Sequence, residues 1–284
     1  MQVYHQRMSK SRDQTYLVTE QYKTADNLRA RIALHERFST FKQDFSRWVF
    51  DHISAPEGAR VLELGTGPAN FWDKNRDRIP SSWHITLTDL SPGMIEEAKA
   101  TTQDIDASFH YRVADAQAIP FADNSFDLVI ANHMLYHVLD LDKGVTEIRR
   151  VLRPGGKLYA ATNGPEHMRE LDDFVRDLTT EYLPGVTLEP MSELSFRLDN
   201  GATYLERQFD NVELVNVPNN ALEVTEAEPF MAYALSMNRL QYQLDGVGEA
   251  ELDAVIAKAH DKLEAMLERG PIHVTKATGL LIAS

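Results

Sequence analysis

Five short apolar segments recur between residues 60 and 162, with helical or polar stretches between them. The segments span residues 60–64, 84–88, 109–113, 126–131 and 157–162, and helical patterns occupy residues 92–101 and 141–152. Strands that alternate with helices in this way predict a parallel sheet with helices on both faces. Because crossovers between parallel strands are right-handed, few topologies other than a doubly wound α/β fold remain.

The sequence on either side of this region has a different rhythm. Residues 1 to about 20 are polar and aperiodic, and two apolar helical faces follow, one with Leu28, Ile32 and His35 and one with Phe41, Phe45, Trp48 and Val49. Beyond residue 162 the pattern predicts helices over 166–182, 230–237 and 249–268, and strands over 212–217 and 272–283. We therefore expect an N-terminal helical lid (1–54) and a main domain (55–284) with an inserted cap at about 165–248.

The charge balance and the absence of cysteine exclude several classes of protein. With 29 Lys and Arg against 43 Asp and Glu, the net charge is −14, which disfavours nucleic acid and anionic membrane surfaces as partners. The chain has no cysteine, which excludes disulfides, a catalytic thiol and thiolate metal sites. We find no apolar run of membrane-spanning length and no signal-peptide core, so we expect a cytoplasmic protein without membrane insertion.

The first apolar segment ends in a glycine-rich loop. Residues 61–69 read Val-Leu-Glu-Leu-Gly-Thr-Gly-Pro-Ala, so Gly65 and Gly67 follow a predicted buried strand and precede a helix. Glycine lets the backbone approach a ligand where a Cβ would clash, and the amides of a helix start favour negative charge or hydrogen-bond acceptors. The pattern indicates a ligand-binding loop, and the alternative is an ordinary strand-to-helix turn.

Acidic residues follow the next two strands. Asp89 lies 22 residues after the second glycine of the loop, a spacing at which nucleotide-binding folds place a carboxylate on the ribose hydroxyls. Its alternative role is to cap the helix that opens at Ser91. Asp115 follows the third strand, where it could accept a hydrogen bond from an adenine amine, with Ala116 and Gln117 supplying a backbone amide and packing. The alternative for Asp115 is a capping residue in a surface loop.

Two further sequence motifs, together with the glycine-rich loop and the acidic residues, form a specific combination. Besides residues 63–69, Asp89 and Asp115, residues 119–127 read Ile-Pro-Phe-Ala-Asp-Asn-Ser-Phe-Asp and residues 150–156 read Arg-Val-Leu-Arg-Pro-Gly-Gly. Over about residues 55–165, this set resembles the class I S-adenosyl-L-methionine (SAM)-dependent methyltransferases. The nearest resemblance is to the type 11 small-molecule branch that includes the ubiquinone and menaquinone biosynthesis methyltransferases. It implies a Rossmann-like, mostly parallel seven-stranded sheet, SAM as the cofactor and S-adenosyl-L-homocysteine (SAH) as the product.

The resemblance also implies roles for individual residues. The methionine and ribose part of SAM would be lined by Glu63, Gly65, Thr66 and Gly67, with Asp89 on the ribose hydroxyls. The adenine would pack on Leu90 and be flanked by Asp115, Ala116 and Gln117. The methionine part and the reactive methyl would be faced by Asn132 and His133. Ala69 replaces the third glycine of the family's loop, which we expect to be tolerated because alanine is small. Asn70 stands where a dinucleotide-binding loop needs glycine, which argues against NAD.

Two histidines and a lid are candidates for chemistry and for closure. His133 and His137 follow the fourth strand, and either imidazole could act as a general base because histidine titrates near neutral pH. The alternatives are packing or capping roles, and many methyltransferases need no base. Tyr22 and either Arg29 or Arg31 resemble the aromatic and basic lid residues of related enzymes, with the arginine pairing with the SAM carboxylate. The alternative is a solvated helix face.

The sequence therefore predicts methyl transfer from SAM to an O, N or C atom of a small-molecule acceptor. The remaining histidines lack metal-ligand spacing, so we predict no metal site. Two other classes stay open, a nucleotide-dependent oxidoreductase on a Rossmann-like scaffold and a SAM-binding protein without catalytic activity. Asn70 argues against the first, and the intact set of Glu63, Asp89 and Asp115 argues against the second. The acceptor and the oligomeric state are not fixed by the sequence.

Overall fold

The computed structural model describes residues 26–183, 186, 195–237, 240–241, 244 and 247–284, which form a seven-stranded and a two-stranded sheet. The main sheet consists, in spatial order, of β3 (Ser108–Val113), β2 (His84–Asp89), β1 (Arg60–Leu64), β4 (Phe126–Asn132), β5 (Leu152–Asn163), β9 (Thr278–Ala283) and β6 (Val212–Asn216). The small sheet pairs β7 (Ala221–Val224) with β8 (Ile272–Thr275). The doubly wound α/β fold expected from the sequence is confirmed.

Helices flank these strands. They are α1 (Asp26–Phe38), α2 (Phe45–His52), α3 (Asn70–Lys74), α4 (Pro92–Thr102), α5 (Leu141–Val151), α6 (Arg169–Tyr182), α7 (Gly201–Leu205), α8 (Ala227–Leu235) and α9 (Glu249–Leu267). A 3₁₀ turn, Leu135–His137, follows β4. Within the described part of the chain, none of the helices is both long and apolar enough to cross a membrane.

The strand order reverses at β1. This strand pairs in parallel with β2 on one side and with β4 on the other, and β9 lies antiparallel between β5 and β6. In open α/β sheets, ligands bind outside the carboxyl ends of the strands at such a reversal. The loops after β1, β2 and β4 therefore share one edge of the sheet, where a ligand crevice is expected, and we call this edge the crevice.

Alternate residues of the central strands pack into two apolar clusters on opposite faces of the main sheet. Leu62 and Leu64 of β1 belong to the cluster that α5 covers, whereas Val61 belongs to the cluster that α2 and α3 cover. Every residue of β1 after Arg60 is buried, as is typical of a central parallel strand with both faces covered. This double burial is the reason that the strand is visible as an apolar run in the sequence.

A third apolar cluster lies outside the main sheet, and we call it the cap. Leu34 and Phe38 of α1 pack there with residues of α6, α8 and α9 and with both strands of the small sheet. The cap continues as far as Val274, whereas the expected insertion ends at about residue 248. The division of the chain into a lid and a main domain stays a proposal, with α1 contributing to the core of the cap.

The C-terminal segment differs from the sequence expectation. We predicted one strand over residues 272–283, but this segment forms two strands, β8 and β9, which belong to different sheets. Lys276 and Ala277 connect them. The Lys276 amide donates to the Asn220 carbonyl (3.2 Å), and the Gly164 amide donates to the Ala277 carbonyl (2.8 Å). Because both strands are apolar, hydrophobic patterning does not show where one sheet ends and the other begins.

Candidate active site

The loop after β1 contains three residues in the left-handed backbone conformation. Gly65, Gly67 and Ala69 have φ values of +63°, +54° and +61°. A Cβ at Gly65 would lie 2.7 Å from the Cβ of Met134, whereas no atom of the described residues lies within 4 Å of the corresponding position at Gly67. Glycine is therefore required at residue 65 for packing against the exit of β4, and Gly67 borders open space. Ala69 is fully buried and tolerates a conformation that glycine adopts more readily.

Glu63 lies beneath this loop and supports it through hydrogen bonds. The side chain is 2% exposed, and its Oε2 accepts hydrogen bonds from Thr66 Oγ1 and Trp72 Nε1, both at 2.6 Å. Burial raises the pKa of Glu63 to about 7, although the two hydrogen bonds oppose the rise. Both donors belong to the protein, so the structure gives Glu63 and Thr66 a supporting role. Direct contact of either side chain with SAM stays a prediction.

Asp89, at the end of β2, is bound to the same loop. The Gly67 amide donates to its Oδ2 and the Ser91 amide donates to its Oδ1, both at 2.9 Å. Burial raises the pKa of Asp89, and these backbone hydrogen bonds oppose the rise. Helix α4 is capped by Ser91, whose Oγ accepts from the Met94 amide, rather than by Asp89. Carboxylate oxygens have further lone pairs, so Asp89 can still accept from a ligand hydroxyl. Leu90 beside it is half-buried.

Asp115, Ala116 and Gln117 form a compact turn after β3. Asp115 Oδ1 accepts hydrogen bonds from the backbone amide (2.8 Å) and the side-chain Nε2 (3.1 Å) of Gln117. Gln117 Oε1 in turn accepts from the Asp140 amide at 2.9 Å, which fixes the turn to the start of α5. Ala116 is buried against the same helix. The Ala114 amide donates to the carbonyl of Asp89, so the turn lies next to the end of β2. Contact of these residues with an adenine stays a prediction.

The exit of β4 places an unpaired polar atom and two histidines at the crevice. Asn132 Oδ1 is buried and has no hydrogen-bond partner among the described residues. His133 has a φ of +53°, which is uncommon for a residue other than glycine, and its amide donates to the Ala161 carbonyl at 2.9 Å. Burial, reinforced by nearby cations, lowers the pKa of both His133 and His137 to about 4. Both imidazoles are therefore uncharged at neutral pH.

Of the predicted lid residues, the structure places Arg31 beside this exit. Arg31 belongs to α1 and is close enough to His137 for its charge to lower the pKa of that imidazole. Its Nε atom is buried and has no hydrogen-bond partner within the described ranges. Tyr22 lies outside the described residues. The pairing of Arg31 with the SAM carboxylate stays a prediction.

Three further titratable side chains gather near His133, and none of them was predicted as part of the site. His35 comes from α1, His167 from the loop between β5 and α6, and Lys276 from the connection between β8 and β9. The rings of His35 and His167 stack with their centroids 6.0 Å apart, and Lys276 Nζ donates to Ser39 Oγ at 3.2 Å. The charge of Lys276 contributes to a lowered pKa at all three histidines. These residues are far apart in sequence, so no local motif could have revealed them.

The crevice has features that fit SAM. No described residue fills the space beside Gly67, and the Asp89 carboxylate lies next to it. Asn132 Oδ1 is a buried acceptor without a partner in the described part of the chain, and an amino group could satisfy it. These features share the edge of the sheet at which open α/β folds bind nucleotide-like ligands. Among the residues that the structure describes, no group of three or more His, Asp or Glu side chains is arranged to hold a metal ion.

Two curated relatives share the central part of this chain. The ubiquinone/menaquinone biosynthesis C-methyltransferase UbiE of Vibrio cholerae serotype O1 is 32% identical over 116 residues, which are 40% of this chain and 45% of that protein. The highly reducing polyketide synthase verA of Penicillium polonicum is 38% identical over 104 residues, which are 35% of this chain and 4% of the synthase. The chain thus matches less than half the length of either relative, and the likeness is that of one domain.

A solved structure extends the likeness of fold to nearly the whole chain. Phosphoethanolamine N-methyltransferase 2 of Haemonchus contortus, in complex with SAM, is similar with a TM-score of 0.55 at 18% identity. The similarity covers 95% of this chain and 59% of that one. This similarity shows that the chain has the Rossmann-like fold of the class I methyltransferases. Residues 62–160, which run from β1 into β5, match the Methyltransf_11 family model, described as a methyltransferase domain.

Proposed function

We propose that this protein transfers the methyl group of SAM to an O, N or C atom of a small-molecule acceptor and releases SAH. The observation that carries the proposal is the hydrogen bond from the Gly67 amide to Asp89, which holds a carboxylate suited to ribose hydroxyls beside an open stretch of backbone. The family match over residues 62–160 supports the same reaction class. The net charge of −14 favours a small molecule over nucleic acid, and we propose the cytoplasm as the location.

The residues of the crevice would hold SAM along its whole length. Asp89 would accept from the ribose hydroxyls, and Leu90 with the turn from Asp115 to Gln117 would enclose the adenine. Arg31 would pair with the carboxylate, and Asn132 Oδ1, which lacks a partner among the described residues, would accept from the amino group. When bound, SAM supplies an electrophilic methyl carbon on a positively charged sulfur.

The histidines at the exit of β4 have two properties that suit this reaction. Because burial lowers the pKa of His133 and His137 to about 4, neither carries a charge that would repel a sulfonium at neutral pH. A neutral imidazole also keeps a lone pair that can accept the proton of an O–H or N–H acceptor, although the lowered pKa makes it a weaker base than an exposed histidine. We propose His133 and His137 as alternative bases. If His133→Ala and His137→Ala each retain full turnover across the pH profile, the base hypothesis fails.

Calorimetric titration with SAM, SAH and NAD in parallel tests the proposed function. We expect SAM and SAH to bind and NAD not to bind, since Asn70 occupies the position where a dinucleotide loop needs glycine. Binding of NAD alone would replace the methyltransferase proposal with an oxidoreductase. Binding of SAM without SAH formation across a broad acceptor screen would favour a SAM-binding protein without catalytic activity.

A further inference from the structure

The cluster of His35, His133, His167 and Lys276 is assembled from four separate segments of the chain. The two stacked rings of His35 and His167 lie 6.0 Å apart, and Tyr233 of α8 packs edge-on against His35 with the centroids 5.7 Å apart. His167 is 5% exposed, and the His35 Nδ1 atom is buried without a hydrogen-bond partner in the described ranges. The cluster therefore joins the main sheet, α1 and the cap around one group of buried polar atoms.

The position of the cluster separates it from the proposed SAM half of the crevice. Lys276 precedes β9, whose first residue, Thr278, pairs with Asn163 at the carboxyl end of β5. The glycine-rich loop and Asp89 follow β1 and β2, and β4 lies between these strands and β5. His133, at the exit of β4, therefore stands at the boundary, with SAM expected on one side and Lys276 on the other. The Lys276 side of this boundary is where an acceptor would lie.

The charges of the cluster are unbalanced. The hydrogen bond of Lys276 Nζ goes to the neutral hydroxyl of Ser39, and no carboxylate of the described residues forms an ion pair with this ammonium. Burial lowers the pKa of Lys276 to about 8, and no acidic group among the described residues opposes the shift. A partly buried cation without an anion is costly, and a bound anion would relieve that cost. A neutral imidazole has one N–H donor, and the His35 Nδ1 atom has no hydrogen-bond partner within the described ranges.

We propose that Lys276, with His35 and His167 beside it, binds a carboxylate of the methyl acceptor. The acidic group would pair with the ammonium and receive an imidazole N–H, and it would fix the acceptor on the far side of His133 from SAM. Naming the anion as part of the acceptor rests on the proposed function. The anion site itself rests only on the geometry of the cluster.

Binding of small acids and their uncharged amides tests this proposal. The probes are acetate, benzoate and phenylacetate, each compared with acetamide, benzamide or phenylacetamide by ligand-observed NMR at neutral pH, on the full chain with and without saturating SAH. We expect at least one acid to bind wild type about tenfold or more tightly than its amide. Lys276→Met should remove this preference and Lys276→Arg should keep it. Lys143→Met, which removes an exposed lysine, should also keep it.

The outcomes of this binding experiment either support or overturn the anion site at Lys276. If no acid is preferred over its amide by the wild type, or if Lys276→Met keeps the preference, the anion site is overturned. Thermal unfolding identifies a variant that fails to fold, and Lys276→Gln then replaces the methionine variant. If wild type binds neither SAM nor SAH but still prefers an acid over its amide, the proposed function fails while the anion site stands.

Discussion

The amide nitrogen of Gly67 lies 2.9 Å from Oδ2 of Asp89, and this hydrogen bond joins the loop after β1 to the end of β2. The neighbouring amide of Thr66 donates to the carbonyl of Thr88, also at 2.9 Å. Two successive amides of the loop are therefore fixed to the second strand. Because the protein's own strand supplies these acceptors, the hydrogen bonds help to fix the shape of the loop, and less ordering cost remains to be met by binding.

Replacement of Asp89 should weaken SAM binding without unfolding the chain. Asp89→Ala removes a charged acceptor of two backbone amides and of the proposed ribose hydroxyls, so we expect SAM affinity to fall about tenfold or more in calorimetry. Asp123→Ala, which removes an exposed carboxylate paired with Arg150, is the matched control and should bind as wild type does. Near-wild-type affinity in Asp89→Ala would contradict the ribose assignment.

The two glycines of the loop should respond differently to alanine. Gly65→Ala places a Cβ 2.7 Å from that of Met134, so it adds a clash to the left-handed strain. Gly67→Ala meets only the strain, about 1–2 kcal/mol, and its methyl would occupy the open space beside Asp89. We expect Gly65→Ala to be the less stable variant in urea unfolding and Gly67→Ala to keep more stability but lose SAM affinity. The reverse order of stabilities would show that the loop packs differently.

Glu63 should make the protein less stable as pH rises. Its folded pKa is about 7 against an ordinary value of 4.5, so the folded state holds a proton that the unfolded state releases between these pH values. The contribution of Glu63 to the free energy of unfolding is therefore highest below pH 4.5 and falls as pH rises through 7. Glu63→Gln should remove this effect, which is on the order of 3 kcal/mol. Unfolding of both proteins in urea across this range measures it, and parallel pH profiles would disprove the raised pKa.

The buried histidines should have the opposite effect. His35 has its pKa lowered from 6.5 to about 3, and that of His133 falls to about 4, so unfolding takes up protons as pH drops below 6.5. Stability is thus lost on acidification, by about 1.4 kcal/mol per pH unit for each such histidine. His35→Gln should reduce the slope by one proton, measured by urea unfolding between neutral and mildly acidic pH. His84→Gln, at an exposed histidine, is the control; a slope unchanged in His35→Gln would refute the depressed pKa.

The sequence predicted the parts of the fold that depend on short-range pattern. Strand β1 was predicted with the limits that the structure shows, because burial on both faces leaves an apolar run after Arg60 that only Glu63 interrupts. The order of strands and helices up to β5 followed from alternation alone. The short elements α7 and β7 were not predicted, since four or five residues carry too little periodicity to be distinguished from a loop.

The site was predictable only where its residues follow a motif. Gly67 and Asp89 have a characteristic spacing, and the structure brings them into contact. His35 and Lys276 gave no signal, because their neighbourhood arises from packing of α1 and of the β8–β9 connection onto the end of β5. The sequence therefore indicates the part of the crevice proposed for SAM, because the glycine-rich loop and its partner Asp89 have a known spacing. The part around Lys276 is formed by tertiary contacts, and no rule of residue spacing describes them.

Only Lys276 and Ala277 separate a strand of the small sheet from a strand of the main sheet. This two-residue junction is rigid, because the Lys276 amide and the Ala277 carbonyl are both hydrogen-bonded to neighbouring backbone. Any repositioning of the small sheet would carry the Lys276 ammonium with it. A substitution that reorients the cap to fit a differently shaped acceptor would therefore also move the Lys276 charge. An insertion between β8 and β9 would be the simplest change that separates the orientation of the cap from the position of this charge.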